Sequence, residues 1–138
     1  MAEMKEQVDK EIENYKSINS DLQELMFKRQ QFYSSANENG MVAQELDLLA
    51  DDAQVFKMLG PVLIKQDLAE AKDNVTKRLD FIQDQMKNCQ EAIEGKQKQQ
   101  AEVVEKIQKM QQAMQATAAA EAQKTYAEIA NSAADEDS

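Results

Sequence analysis

The chain has 138 residues, of which 30% are charged and only 5% are aromatic, so it cannot build a compact core of ordinary size, and we expect one mostly helical domain. A net charge of −10 opposes binding to nucleic-acid phosphates and to anionic lipid. No apolar run approaches the ~20 residues of a membrane span, and the N-terminus lacks the apolar segment of a signal peptide, so we expect a cytoplasmic protein that binds neither nucleic acid nor membrane.

The first predicted element is a helix over about residues 3–50, because apolar side chains recur at alternating spacings of three and four. Its seam consists of Val8, Ile12, Tyr15, Asn19, Leu22, Met26, Arg29, Tyr33 and Ala36. Ile18, Leu25 and Phe32 lie beside this seam and make it wider than one partner helix requires. Gly40 then interrupts the pattern, and we expect a continuing but distorted helix there, with a full break as the alternative.

A β-hairpin is predicted next, over about residues 53–66, because β-branched and aromatic residues flank a Gly-Pro turn signal. Both faces of these strands carry apolar side chains, so an isolated hairpin would leave apolar surface and unpaired edges in water. Strands of other subunits would cover both, which predicts oligomerisation; the alternative is a segment that folds back on its own coil. The predicted oligomerisation residues are Val55, Phe56, Met58, Leu59, Gly60, Pro61, Val62, Leu63 and Ile64.

The second predicted helix covers about residues 67–129, and Asp67 with Glu70 three residues later is typical of a helix N-terminus. Its seam is more regular and has polar members only at Lys96 and Gln100. The seam consists of Val75, Leu79, Ile82, Met86, Cys89, Ile93, Lys96, Gln100, Val103, Ile107, Met110 and Met114. Small and acidic residues follow, so we expect a disordered tail over residues 131–138.

The two seams are similar in length, each roughly 60 Å of helix at ~1.5 Å per residue. Equal helices joined by a short hairpin favour antiparallel pairing, so the predicted fold is an antiparallel two-helix coiled coil with one central β-hairpin, in a single domain over residues 1–130. That alignment places Asn19 near Gln100 and Arg29 near Glu94, where hydrogen bonds would fix the register.

An enzyme is not predicted. The chain has no histidine, and its one cysteine, Cys89, lies in the seam, where a small buried apolar side chain is expected. The carboxylates are predicted to face solvent, and the three glycines are isolated rather than grouped in a phosphate-binding loop. We therefore expect no catalytic residue, no metal site and no cofactor.

Two segments resemble the β-type subunits of the prefoldin family: Val55-Phe56-Lys57-Met58-Leu59-Gly60-Pro61-Val62-Leu63-Ile64-Lys65-Gln66, and Asn74-Val75-Thr76-Lys77-Arg78-Leu79-Asp80-Phe81-Ile82. A single hairpin fits the β-type, since α-type subunits carry two. The resemblance implies a hexamer of two α-type and four β-type subunits whose hairpins form a double barrel. It also implies an ATP-independent chaperone that holds unfolded actin, tubulin and other clients and passes them to the cytosolic group II chaperonin. Gly95 and the alanine-rich extension of the second helix depart from the family pattern.

Client binding is expected at the end of the coil away from the hairpin. The candidate client patch consists of Met4, Val8, Ile12, Ile107, Met110 and Met114. Methionine offers flexible, polarizable contacts that suit varied apolar shapes, and weak contacts on several subunits would add avidity. The alternative is that these residues only pack the seam. The chain would then be a structural coiled-coil adaptor, or a prefoldin-like scaffold subunit without clients.

Overall fold

The computed structural model describes residues 2–136 and contains two long helices joined by a two-stranded antiparallel sheet. Helix α1 spans Ala2–Asp47, strand β1 Val55–Leu59, strand β2 Val62–Gln66 and helix α2 Leu68–Glu136. The predicted fold class, two helices with one central hairpin, is confirmed.

Helix α1 continues through Gly40, so the alternative of a full break there is wrong. Close to this glycine, the side-chain Nδ2 of Asn39 donates a hydrogen bond of 2.8 Å to the backbone carbonyl of Ser35, one turn earlier. The helix ends at Asp47, three residues before the predicted end near residue 50. A backbone hydrogen bond of 2.9 Å from Ala53 to Ala50 then closes a turn that leads into β1.

Helix α2 begins at Leu68, and the backbone amide of Ala71 donates a hydrogen bond of 2.9 Å to the carbonyl of Asp67. Asp67 therefore occupies the N-cap position, as its residue type predicts. The helix continues through Gly95 to Glu136, so residues 131–136 are helical and the predicted disorder does not hold for them. The high helix propensity of the alanines in this segment accounts for the difference. Residues 137 and 138 lie outside the described residues.

The chain divides into two compact units, of which the first comprises residues 22–95 and includes the hairpin. Its core is a cluster of buried apolar side chains from the end of α1 and the start of α2. The buried members are Leu46, Leu68, Ala71 and Val75, with Ala43, Val55 and Leu79 packed against them. Farther along α2, Ile93 is the most deeply buried side chain, with 1% of its surface exposed.

Within this unit the α1 seam departs from the prediction. Met26 and Tyr33 are 40% and 53% exposed, so their assignment to the seam is wrong, whereas Leu25 and Phe32 are half-buried. The buried and half-buried positions Ile18, Leu22, Leu25, Arg29 and Phe32 alternate strictly by four and three residues. The seam therefore keeps the heptad repeat but follows the frame through Leu25 and Phe32 instead of the frame through Met26 and Tyr33. The polar seam residue Arg29 donates a hydrogen bond of 2.7 Å from Nη1 to Gln90, which in turn bonds Glu94. The direct partner of Arg29 is thus Gln90, and Glu94, the predicted neighbour, lies one hydrogen bond farther along.

The second unit comprises residues 2–21 and 96–136 of the described chain. Val8, Ile18 and Val103 are its buried apolar side chains. The side-chain amide of Gln100 donates a hydrogen bond to Oδ1 of Asn19, which confirms the predicted antiparallel register. Lys96, two turns from Val103, pairs with Asp21 at 3.1 Å and thereby places its charge at the edge of the seam.

Candidate assembly and client-binding surfaces

The hairpin is closed by the two-residue turn Gly60-Pro61. Gly60 has φ of 61°, a left-handed conformation that glycine adopts without steric cost, and proline supplies the fixed negative φ of the second turn position. A glycine of positive φ at the first turn position matches the twist of the flanking strands. The turn sets the register, in which Leu59 pairs with Val62 and Val55 pairs with Gln66.

This register sorts the apolar side chains of the hairpin onto two faces. Val55, Leu59, Val62 and Ile64 lie on one face, and Phe56, Met58 and Leu63 lie on the other. Beyond Val55 the large apolar side chains stand out into solvent, each between 46% and 71% exposed. These are Phe56, Met58, Leu59, Val62, Leu63 and Ile64. The structure thus brings the predicted oligomerisation residues together on one element and leaves all of them except Val55 uncovered within the chain.

The backbone of the hairpin is also open. The sheet has two strands, so each strand has one free edge. In a hairpin with a two-residue turn, the pair beside the turn is hydrogen-bonded and the pairs then alternate. The backbone groups of Phe56, Met58, Leu63 and Lys65 therefore point outward, and such edges pair readily with further strands.

Only the base of the hairpin is anchored to the helices. Val55 is half-buried against the core cluster that contains Leu46 and Val75. Next to this anchor, a cleft of about 160 Å³, the junction cleft, opens between α1, the hairpin and α2. Its apolar lining consists of Val42, Leu46, Val55, Phe56, Ala71 and Val75. Lys57 and Arg78 add two cations to the lining, and Gln66 and Asn74 add neutral polar groups.

The six residues of the candidate client patch all belong to the unit of residues 2–21 and 96–136. Val8 is buried, and the other five side chains are half-buried. An ion pair of 2.9 Å between Lys106 and Glu11 lies beside them. Val8 lies three residues before Glu11. In an antiparallel pair of helices it is therefore level with the residues three and four positions after Lys106, which are Lys109 and Met110. The patch residues of the two helices therefore lie at matching levels.

The ion pair also changes the acidity of Glu11. Lys106 donates a hydrogen bond to Oε1 of Glu11, and this bond, together with the charge of the ammonium group, holds the pKa of the carboxyl below its usual value. With a lowered pKa, Glu11 stays ionised to a more acidic pH than a free glutamate, and the pair at the level of the patch persists over that range.

Other kinds of site find no support in the part of the chain that the structure describes. Among residues 2–136, no group of three or more acidic or cysteine side chains could hold a metal ion. Cys89 is free and buried, as the seam pattern predicts. No described helix is long and apolar enough to cross a membrane.

Two long helices joined by one exposed apolar hairpin define a helix-hairpin-helix protein. The family model "Prefoldin subunit" matches residues 9–114, and the chain belongs to this family of chaperone subunits. It is similar to prefoldin subunit 6 of Homo sapiens, with 39% identity over 100 residues, covering 72% of this chain and 78% of that protein. It is also similar to prefoldin subunit 6 of Saccharomyces cerevisiae, with 35% identity over 85 residues, covering 62% and 75% of the two chains.

The crystal structure of the prefoldin beta subunit from Thermococcus strain KS-1 has the same fold. It matches with a TM-score of 0.70 and 19% identity over 75% of this chain and 90% of that one. The predicted resemblance to the prefoldin family is confirmed, and the Homo sapiens and Saccharomyces cerevisiae relatives named above are prefoldin subunit 6 proteins. Prefoldin subunits assemble with one another and are not enzymes, in agreement with the sequence prediction.

Sequence reasoning missed the junction cleft. Its lining comes from three separate elements, and Val42 and Arg78 are 36 positions apart in the sequence. One signal was available: the segment Asn74 to Ile82 that resembles the family includes Arg78, a cation just outside the α2 seam.

Proposed function

We propose that the chain is one β-type subunit of a cytoplasmic, ATP-independent heterohexamer of two α-type and four β-type subunits. This assembly would hold unfolded actin, tubulin and other clients and pass them to the cytosolic group II chaperonin. One observation supports the proposed assembly through the hairpin. Six large apolar side chains on the hairpin are roughly half-exposed, on a sheet with two free edges. Membership of the prefoldin family supports the stoichiometry and the chaperone role.

The hairpin would be covered on both faces and both edges by strands of neighbouring subunits. Burial of apolar surface contributes roughly 25 cal/mol per Å², so side chains that a monomer leaves in water become the driving force for assembly. The outward backbone groups of β1 and β2 would join the ladders of neighbouring strands. A closed barrel built in this way removes the free edges altogether.

Replacing Ile64 with aspartate tests this role of the hairpin. Ile64 is 46% exposed in the single chain, so Ile64→Asp should leave the helices intact. In the assembly the carboxylate would be buried without a partner, at a cost of several kcal/mol. We expect the variant to be absent from hexamers isolated through a tag on a second subunit. Leu48→Asp is the matched control, because Leu48 is 86% exposed and lies outside the hairpin. Normal incorporation of Ile64→Asp would refute the assignment.

For client binding we propose the patch of Met4, Val8, Ile12, Ile107, Met110 and Met114. Its support is that five of the six side chains keep part of their apolar surface in solvent, and three of them are flexible methionines. The start of α1 and the part of α2 that carries the patch hold few buried side chains, so local opening would expose more apolar surface at modest cost.

The double substitution Met110→Ser with Met114→Ser tests the patch. We expect the hexamer to form normally and to suppress the aggregation of a denatured client less well in the absence of nucleotide. One altered subunit of six gives a partial loss because the remaining contacts retain avidity. Met41→Ser is the control, since Met41 is 64% exposed but lies outside the patch. Unchanged suppression, even with the matching positions of all subunits altered, would favour the scaffold alternative without client binding.

A further inference from the structure

The junction cleft has the size and lining of a site for one large apolar side chain. Its volume is about 160 Å³, and its walls include Val42, Leu46, Val55 and Phe56. An apolar cavity of about 150 Å³ is sufficient for a benzene-sized group. Because the cleft is open to solvent, a side chain could enter it from outside without unfolding the chain.

Two cations give the cleft a charge preference. Among residues 2–136, neither Lys57 nor Arg78 is paired with a carboxylate, although the chain carries an excess of ten negative charges. Unpaired cations beside an apolar cleft favour an occupant that has a carboxylate next to its apolar side chain.

The cleft is continuous with the assembly surface. Val55 and Phe56 belong both to the hairpin and to the lining of the cleft, so a strand placed along β1 would lead into it. Two cations beside one apolar cleft recognise a segment in which an acidic residue stands next to an apolar one. This suits a neighbouring subunit of defined sequence better than clients of many sequences.

We propose that the junction cleft binds an acidic-apolar segment of a neighbouring prefoldin-type subunit. The segment inserts one large apolar side chain between α1, β1 and α2, and its carboxylate pairs with Lys57 and Arg78. The hairpin ladder can form with any strand, whereas this contact selects the neighbour by its charge. The proposal requires assembly through the hairpin and is independent of client binding.

Charge reversal at Arg78 tests whether the cations of the junction cleft select an acidic partner. Hexamers with Arg78→Glu should exchange this subunit about tenfold faster than the unaltered protein at low salt, and the difference should shrink at high salt. Lys87→Glu is the matched control, because Lys87 is exposed on the same helix, lies outside the cleft and changes the net charge equally. Equal exchange rates for the two variants would overturn the charge preference.

A photo-crosslinking side chain at Asn74, which lines the cleft, identifies the occupant. In the purified hexamer we expect an adduct with one other subunit at a segment that contains an acidic residue, and Arg78→Glu should weaken that adduct. No adduct, or an adduct formed only with added client, would overturn the proposal. This proposal does not depend on client binding. Even if Met110→Ser with Met114→Ser leaves client binding unchanged, the adduct at Asn74 is still expected.

Discussion

Ile93 provides the sharpest test of the coiled-coil packing, because only 1% of its surface is exposed. Ile93→Ala removes three methyl or methylene groups from a buried position. At about 0.8 kcal/mol for each group, the loss of transfer free energy is about 2.4 kcal/mol. The better helix propensity of alanine returns a few tenths of a kcal/mol, and incomplete collapse of the cavity adds to the loss. We expect a net loss of about 2–3 kcal/mol in the free energy of unfolding.

The matched control is Ile129→Ala, the same substitution in the same helix at a position that is 63% exposed. About a third of this side chain is buried, so only about a third of the transfer free energy is lost, and the free energy of unfolding should fall by less than about 1 kcal/mol. Urea unfolding of the isolated chain, followed by far-UV circular dichroism, gives both values from the transition midpoints. Similar midpoint shifts for the two variants would refute the packing around Ile93.

Three further predictions follow from the turn, the register and the ion pair. Gly60→Ala should weaken hexamer formation, measured by native mass spectrometry, because a left-handed residue other than glycine costs about 1–2 kcal/mol; full-strength assembly would contradict this. Cysteines at Asn19 and Gln100 should cross-link within one chain under mild oxidation, whereas links only between chains would contradict the register. The pKa of Glu11, measured by NMR, should rise toward that of a free glutamate in Lys106→Gln. The stabilisation from this pair should be fully present above the pKa of Glu11 in the unfolded chain and should disappear as pH falls through its pKa in the folded chain.

The hairpin could be predicted almost completely from the sequence. A turn containing Gly60 and Pro61 permits one short connection, and the alternation of apolar residues then fixes which side chains share a face. The coiled-coil register was also accessible, since Asn19 and Gln100 are polar exceptions in opposite seams of matched length. Both predictions rely on local rules combined with a single count of residues along each helix.

The details that were not predicted depend on packing between elements. In α1 two frames of three-four spacing compete, one through Met26 and Tyr33 and one through Leu25 and Phe32, and only the contact with α2 decides between them. The junction cleft forms only where α1, the hairpin and α2 meet, so no local sequence pattern predicts it. Composition also misled in the last part of α2, where acidic and small residues indicated disorder but alanine propensity sustains the helix to Glu136.

The uninterrupted passage of α1 through Gly40 has a mechanical consequence. Residues 34–40 include two serines, two asparagines and a glycine, which together lower helix stability by roughly 3 kcal/mol relative to alanine. The side-chain amide of Asn39 competes with the helix backbone for the carbonyl of Ser35. Gly40, the next residue, has no Cβ to restrict its backbone. This turn of α1 is therefore the place where bending the helix costs least. Bending there would change the direction of α1 while the hydrogen bonds of the helix on either side of the turn remain intact.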